Sequence, residues 1–204
     1  YTSSVDTSFN PAFTGNQTKD IFVAKFDSSG TLINRWIFNT TYSVTTTVPD
    51  TTTNPVTYVT VTTVSNGEDA ASGIAVDPSG NIYITGEISG LSNLAAFTFT
   101  GISIESTATT YTTFTPQSMT ITQNSDYLFT RLFVLKIPAD NSGMTVKLHE
   151  AADYTGGRCI TTDSSGNIYA AGYTYDDLDG ETSYDYSDIC IIKYKPDFTR
   201  EWTK

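Results

Sequence analysis

Apolar and polar residues alternate along most of this chain, and short groups of Asp, Ser, Gly and Asn interrupt the alternation. The clearest examples are two nearly identical stretches, GIAVDPSGNIYITG at 73–86 and CITTDSSGNIYAAG at 159–172. Period-two alternation on both sides of a short polar group is typical of a β-hairpin. Asp77 and Asp163 can accept backbone N–H bonds within these turns. Each stretch therefore predicts two antiparallel strands, called a and b here.

A second pattern of strand, turn and strand occurs three times. Its copies are DIFVAKFDSSGTLINRWIF at 20–38, LFVLKIPADNSGMTVKLHE at 132–150 and DICIIKYKPDFTREWTK at 188–204. With these strands called c and d, the order along the chain is c-d, a-b-c-d, a-b-c-d. Four-stranded antiparallel units in series are typical of a β-propeller, in which each unit, or blade, buries its faces against neighbours. The sequence predicts an all-β chain of about two and a half blades.

The repeated residues resemble a known bacterial repeat. The pattern D-x-F-V-x-K-x-D-x-S-G followed by W, and then G-I-A-V-D-x-S-G-N-I-Y-I-T-G, is similar to the SBBP repeat, which implies a seven-bladed propeller. The last copy, LDGETSYDYSDICIIKYKPDFTREWTK, resembles versions in spirochaete surface and periplasmic proteins. The resemblance implies an exported protein, located outside the cell, at its surface or in the periplasm. It implies no shared catalytic residues.

We expect one domain, a partial propeller whose first residues lie inside a blade. Residues 1–8 align with residues just after the second strand b, which indicates a fragment or the ordered part of a longer protein. The predicted divisions are a half blade at 1–38, an inserted hairpin at 39–70, a blade at 71–150 with an insertion at 87–128, and a blade at 151–204.

Long connections are predicted at only one end of the blades, called here the elaborated side. The a-b and c-d turns are short, whereas the b-c and d-a connections are long. Thr supplies half of residues 40–63, and β-branched residues there flank a Pro/Asp/Asn turn, which predicts a projecting hairpin. Alternation in 95–123 predicts two to four further strands. Such insertions either stiffen the propeller or form a binding surface, and the sequence leaves both open.

Charge and hydropathy limit the class of partner. The chain has 11 Lys and Arg against 22 Asp and Glu, and its net charge of -11 repels phosphate backbones. Nucleic acid is therefore not an expected partner. The chain also lacks a run of about 18 apolar residues, so no transmembrane helix is expected. The expected partners are other protein chains or remaining blades of a longer parent protein, with glycans as the alternative.

The segment YTYDDLDGETSYDYSD at 173–188 is the most acidic and holds most candidate site residues. Clustered carboxylates can bind Ca2+, but this spacing departs from the twelve-residue calcium loop, and a solvated acidic loop is the alternative. Interleaved tyrosines can stack on sugars, form a protein interface or simply pack in strands. The candidate binding residues are Tyr173, Tyr175, Asp177, Asp179, Glu181, Tyr184, Tyr186 and, in the Thr-rich hairpin, Tyr58. Asp177, Asp179 and Glu181 are the calcium candidates, and no other cofactor is expected.

No recognised catalytic pattern is present in the sequence. The only histidine, His149, ends a strand d without an acidic partner or Ser-rich elbow at a known spacing, so we expect a half-exposed strand residue. We expect a non-enzymatic module that contacts other proteins through its elaborated side. The alternative is a carbohydrate-binding propeller, or part of a polysaccharide-active enzyme whose catalytic residues lie outside this chain.

Two further features concern modification of side chains. Cys159 and Cys190 fall on strands a and c, so with strand b between them their Cα atoms should lie about 9 to 10 Å apart, too far for a disulfide. We expect two free, buried thiols. Asn16 and Asn39 match the N-glycosylation acceptor pattern and are predicted to lie in loops of the elaborated side.

Overall fold

The computed structural model describes residues 19–50, 57–91, 96–105, 112–120, 129–149, 151 and 153–204. These residues form strands in three antiparallel sheets and contain no helix. Within the same ranges there is accordingly no apolar helix long enough to cross a membrane. The strands are β1 (Ile21–Phe26), β2 (Leu32–Asp50), β3 (Thr57–Asn66), β4 (Glu68–Val76), β5 (Ile82–Leu91), β6 (Ala96–Glu105), β7 (Thr112–Thr113), β8 (Gln117–Thr120), β9 (Phe129–Ile137), β10 (Thr145–His149), β11 (Thr155–Thr162), β12 (Ile168–Thr174), β13 (Asp188–Tyr194) and β14 (Arg200–Thr203).

Two of the sheets are the complete blades that the sequence predicts. Sheet 2 has the order β4-β5-β9-β10 and sheet 3 the order β11-β12-β13-β14, which is a-b-c-d in both. Each a-b ladder also contains a β-bulge at the same point, between Ala71 and Gly73 in sheet 2 and between Gly157 and Cys159 in sheet 3. The two copies therefore share their register as well as their strand order.

The two a-b turns are held by the same hydrogen bonds. Asp77 Oδ1 accepts the N–H groups of Ser79 and Asn81 at 2.9 Å, and Oδ2 accepts from Asn81 Nδ2 at 2.7 Å and the Tyr83 hydroxyl at 3.1 Å. Asp163 repeats all four bonds at the same distances in sheet 3. Burial raises the pKa of Asp77, but these bonds outweigh it and hold the pKa below its usual value.

Sheet 1 combines the predicted c-d half blade with both insertions. β1 pairs with the first part of β2, and β2 continues without a break into a ribbon in which residues 41–50 pair with β3. Along its other edge, residues 34–42 of β2 pair with β6, and β6 pairs in turn with β7 and β8. The predicted Thr-rich hairpin and the predicted additional strands are thus both present.

The insertions differ from expectation in their attachment. The insertion at 87–128 adds its strands to sheet 1 and not to the blade in which it occurs, because β2 offers β6 a free hydrogen-bonding edge. Strand a of sheet 2 starts at Glu68, before the expected division at residue 71. Gly67 is the single residue between β3 and β4. Its N–H donates to the Thr40 carbonyl at 2.8 Å, and only Gly fits this close approach because a Cβ would lie 2.1 Å from Thr40 Oγ1.

A buried carboxylate anchors the base of the ribbon. Asp69 accepts two bonds at 2.7 Å from Thr40, one from its N–H and one from Oγ1. Burial raises the pKa of Asp69 to about 7 in spite of these bonds, and the charge of Asp20 adds to the increase. Burial also raises the pKa of Asp20, to about 6. The ribbon base therefore holds two carboxyl groups that gain protons well above the usual range.

The three sheets pack face to face in chain order. We call the face toward the following sheet the leading face and the opposite one the trailing face. Between sheets 1 and 2, the apolar cluster contains Ile21, Val23, Trp36 and Phe38 from one side and Ile84, Phe133, Leu135 and Ile137 from the other. Between sheets 2 and 3, it contains Tyr83, Leu132 and Val134 from one side and Ile168, Cys190, Ile192 and Tyr194 from the other. Strand c of sheet 2 thus contributes apolar side chains to both interfaces.

We expect Asp77→Ala to lower the free energy of unfolding by about 1–3 kcal/mol, because it removes four bonds and takes the acceptor from the buried Tyr83 hydroxyl. Asp163→Ala is the matched variant in sheet 3. Asp163→Ala should lower the free energy of unfolding by less, because Tyr169 is half-exposed and water can replace the lost acceptor. Urea denaturation measures both values, and a larger loss for Asp163→Ala would contradict this explanation.

Candidate functional site

The acidic, tyrosine-rich segment connects β12 to β13 and contains a tight turn. Leu178 and Glu181 exchange two backbone hydrogen bonds of 3.0 and 2.9 Å across it. The two residues between them have positive φ, 55° at Asp179 and 91° at Gly180. Asp-Gly is a favoured pair for such a turn because Gly adopts positive φ without strain and Asp tolerates it. The turn places the Asp179 side chain against sheet 2.

Three of the predicted tyrosines come together on sheet 3. The rings of Tyr173 and Tyr175 are 5.5 Å apart and those of Tyr175 and Tyr186 are 5.1 Å apart, both in edge-to-face geometry. Tyr154 adds a fourth ring, 6.0 Å from that of Tyr175. The Arg158 guanidinium lies over the Tyr173 ring at 4.7 Å. We call the four rings the tyrosine patch.

The tyrosine patch is accessible to solvent and suits two kinds of ligand. Tyr186 is 81% exposed and Tyr154 is 39% exposed, while Tyr173 and Tyr175 are half-buried. Tyrosine combines an apolar ring with a hydroxyl, and grouped tyrosines are common both in protein interfaces and beside bound sugars. The geometry therefore supports a recognition surface of either type.

The sequence analysis missed Tyr154, although a signal for it exists. The Tyr175 N–H donates to the Tyr154 carbonyl at 2.9 Å, which extends the a-b ladder by one step beyond Thr155 and Thr174. Continuing the predicted register past the end of the repeat would have placed the two tyrosines opposite each other.

The other two predicted tyrosines lie outside the patch. Tyr184 is 93% exposed, and its N–H donates to Asp188 at 2.7 Å. Tyr58 is 70% exposed and lies on β3, opposite Pro49, so it belongs to the ribbon of sheet 1. The candidate residues therefore fall into two separate places on the molecule.

Asp179 joins sheets 2 and 3 through a largely buried network. Its Oδ2 accepts bonds of 2.7 Å from His149 Nδ1 and from Thr203 Oγ1, and it forms an ion pair with Arg200. His149 Nε2 is hydrogen-bonded to the Tyr194 hydroxyl. Through its two ring nitrogens, His149 thus links the Asp179 carboxylate to the Tyr194 hydroxyl.

The expectation that His149 is half-exposed is wrong. The residue is only 4% exposed, and its partner Asp179 lies 30 residues further along the chain in the b-c loop of the next blade. Known motif spacings cannot reveal this pair, because the contact depends on how two blades stack.

The network changes the acidity of its members. Burial raises the pKa of Asp179, but the bonds from His149 and Thr203 and the charge of Arg200 outweigh it and lower the pKa to about 2. Burial raises the pKa of Tyr194 above its usual value, and the charge of Asp179 adds to this. Asp179 is thus held ionised and acts as a contact between blades.

The three calcium candidates take different partners. Asp179 is bound in the network described above, Asp177 accepts the Ser183 N–H at 2.8 Å, and Glu181 forms an ion pair with Lys204 at 2.8 Å. Among the residues that the structure describes, no group of three or more His, Cys, Asp or Glu side chains is placed to hold a metal ion.

The cysteines and the two N-glycosylation acceptor sequences differ in part from expectation. Both thiols are free, and burial raises the pKa of Cys190 to about 11. The expected burial of Cys159 is wrong, because this residue is exposed on sheet 3. Asn39 lies within β2 and not in the expected loop, and its side chain is 2% exposed, so the folded chain does not present it for glycosylation. Asn16 lies outside the described residues.

Comparison with known proteins bears on the repeat. A family model described as SBBP, a beta-propeller repeat, matches residues 56–94. The matched residues contain β3 and the complete a-b hairpin of sheet 2. No curated protein matches the chain. The predicted repeat type is confirmed for this part of the chain.

We expect Asp179→Asn to lower the free energy of unfolding at neutral pH by about 1–3 kcal/mol, since the amide cannot replace the carboxylate toward all three partners. The wild-type contribution is complete above the unfolded pKa of about 3.9 and is lost as pH falls through the folded value of about 2. The variant should therefore show a flatter stability profile between about pH 4 and pH 2.

Chemical denaturation at several acidic pH values measures this profile. Asp177→Asn is the matched control, because it changes an exposed carboxylate in the same loop. A wild-type slope that persists in Asp179→Asn would show that another group is responsible.

Proposed function

Because the chain carries an SBBP-type β-propeller repeat, we propose that it is a non-enzymatic binding and structural module of an exported bacterial protein. It contacts other proteins through the elaborated side, which carries the β2–β3 ribbon and the strands β6, β7 and β8. No cofactor takes part in this role. Export is supported by the resemblance of its repeats to those of bacterial surface and periplasmic proteins.

The ribbon edge is the observation that carries the proposal. β3 is ten residues long and, among the described strands, pairs only with β2. Its second edge can accept an extended segment of a partner through main-chain hydrogen bonds. A two-stranded ribbon is marginally stable by itself in water, so a third strand from a partner would also stabilise it.

The exposed side chains of the ribbon fit the same role. Tyr58 offers a large ring, and Thr60 beside it on the strand is also exposed. Tyrosine is enriched in protein interfaces, and β-branched residues such as Thr favour the extended conformation that strand pairing needs.

Site-specific photo-crosslinking in cells of the source organism tests the proposal. A photo-reactive residue in place of Tyr58 should give covalent adducts with other proteins, because this position is exposed beside the free edge. Ser165 is the matched control, since it is exposed in the a-b turn of sheet 3 at the opposite end of the blades. Adducts from Ser165 with none from Tyr58 would contradict a role for the elaborated side.

The tyrosine patch favours a second candidate function, carbohydrate binding by the module or by a polysaccharide-active enzyme that contains it. Tyr175 is at the centre of the patch, in contact with the rings of Tyr154, Tyr173 and Tyr186. Sugars stack on such rings through their apolar faces, and the neighbouring hydroxyls can bond to the polar edges.

A glycan array distinguishes this second function from the first. If the patch binds sugar, Tyr175→Ala should weaken binding about tenfold, since aromatic contacts contribute about 0.5–1.5 kcal/mol beyond the area that they bury. Tyr184→Ala is the matched control because this residue is exposed in the same loop but outside the patch. If the wild-type chain binds no glycan, the carbohydrate-binding function is contradicted and protein contact is the one candidate function that remains.

A further inference from the structure

Equivalent positions in the three sheets can be identified from their register. Lys136 of β9 pairs with Tyr83, and Lys193 of β13 pairs with Tyr169, the tyrosines of the two GNIY sequences. Lys25 holds the same place in β1. Counting two and four residues back from each lysine gives the apolar residues of strand c on the leading face.

The leading faces of the three sheets differ sharply in burial. In sheets 1 and 2 the two strand-c positions are at most 6% exposed, because the following sheet covers them. In sheet 3 the same positions are Ile189, 83% exposed, and Ile191, 40% exposed. The residues at these positions are Ile21 and Val23 in sheet 1, Leu132 and Val134 in sheet 2, and Ile189 and Ile191 in sheet 3. Sheet 3 therefore exposes an apolar face built like the two covered ones, and no sheet among the described residues packs on it.

The trailing faces also differ in burial, and here sheet 1 is the exposed one. Counting three residues back from each lysine and one forward gives two of the trailing-face positions of strand c. In sheets 2 and 3 these are at most 2% exposed, whereas in sheet 1 Phe22 is 49% exposed and Phe26 is 57% exposed. The residues are Phe22 and Phe26 in sheet 1, Phe133 and Ile137 in sheet 2, and Cys190 and Tyr194 in sheet 3.

We propose that a second copy of this chain docks its sheet 1 trailing face onto the leading face of sheet 3. Both halves of this interface are present on the chain, and the chain itself uses the same pairing of faces twice, between sheets 1 and 2 and between sheets 2 and 3. The contact is separate from the one proposed for the elaborated side. Because it joins different faces, it is a heterologous contact, which leads to a closed ring or an open chain of copies.

Charge opposes this association and apolar burial favours it. Each copy carries a net charge of -11, so copies repel one another at low ionic strength. Added salt screens that repulsion while leaving the apolar contact in place. Association should therefore strengthen with salt, whereas a contact made by opposite charges would weaken.

Sedimentation velocity and light scattering on the 204-residue chain test the proposal. The mass of the wild-type chain should rise with protein concentration, and further with salt. Ile191→Arg blocks the leading face and Phe26→Arg the trailing face, and each should weaken self-association at least about tenfold. Mixed in equal amounts, the two variants should form a one-to-one dimer and nothing larger, since each retains one intact face.

Three results would overturn the proposal: a monomeric wild-type chain at every concentration, continued self-association of Phe26→Arg, or no complex in the mixture of the two variants. Tyr184→Arg changes a 93% exposed residue outside both faces and should associate as the wild type does. Circular dichroism checks that each variant is folded. Ile189→Arg on the leading face and Phe22→Arg on the trailing face alter neighbouring exposed positions, and they take the place of a variant that does not fold.

Discussion

Apolar side chains on both faces of each four-stranded sheet are the constraint from which the rest of this structure follows. Strand c of sheet 2 places Leu132 and Val134 on one face and Phe133 and Leu135 on the other, and all four are fully buried. Burial of such side chains is worth about 25 cal/mol per Å2, so a sheet of this kind needs a neighbour on each side. The stacking of the three described sheets follows from that need, and the Asp179 network forms where sheets 2 and 3 meet.

The sequence predicts best what local chemistry decides. The Asp77 and Asp163 turns, the order of strands in sheets 2 and 3, and the Thr-rich ribbon all depend on residues close together in the chain. Alternation with a period of two and a polar turn are sufficient to predict each of them. The tyrosine candidates were identified for a similar reason, since three members of the patch lie within one short segment, residues 173–188.

What the sequence did not predict depends on contacts between sheets. β6 follows β5 of sheet 2 along the chain but pairs with β2 of sheet 1, and this pairing joins residues about 60 positions apart. His149 and Asp179 meet because two blades stack, and Cys159 is exposed because no described sheet covers the leading face of sheet 3. Alternation shows that a residue lies on one face of a strand, but it does not show which neighbour covers that face.

The continuity of β2 has a mechanical consequence. β2 runs from Leu32 to Asp50 as one strand, so a pull on the far end of the ribbon is carried along the backbone into sheet 1. There, β1 holds one edge of the strand and β6 holds the other through residues 34–42. The load acts along the strand and is shared by many hydrogen bonds that must break together. A ribbon attached in this way transmits tension to the body of the molecule, whereas a hairpin on a flexible loop would first extend its loop.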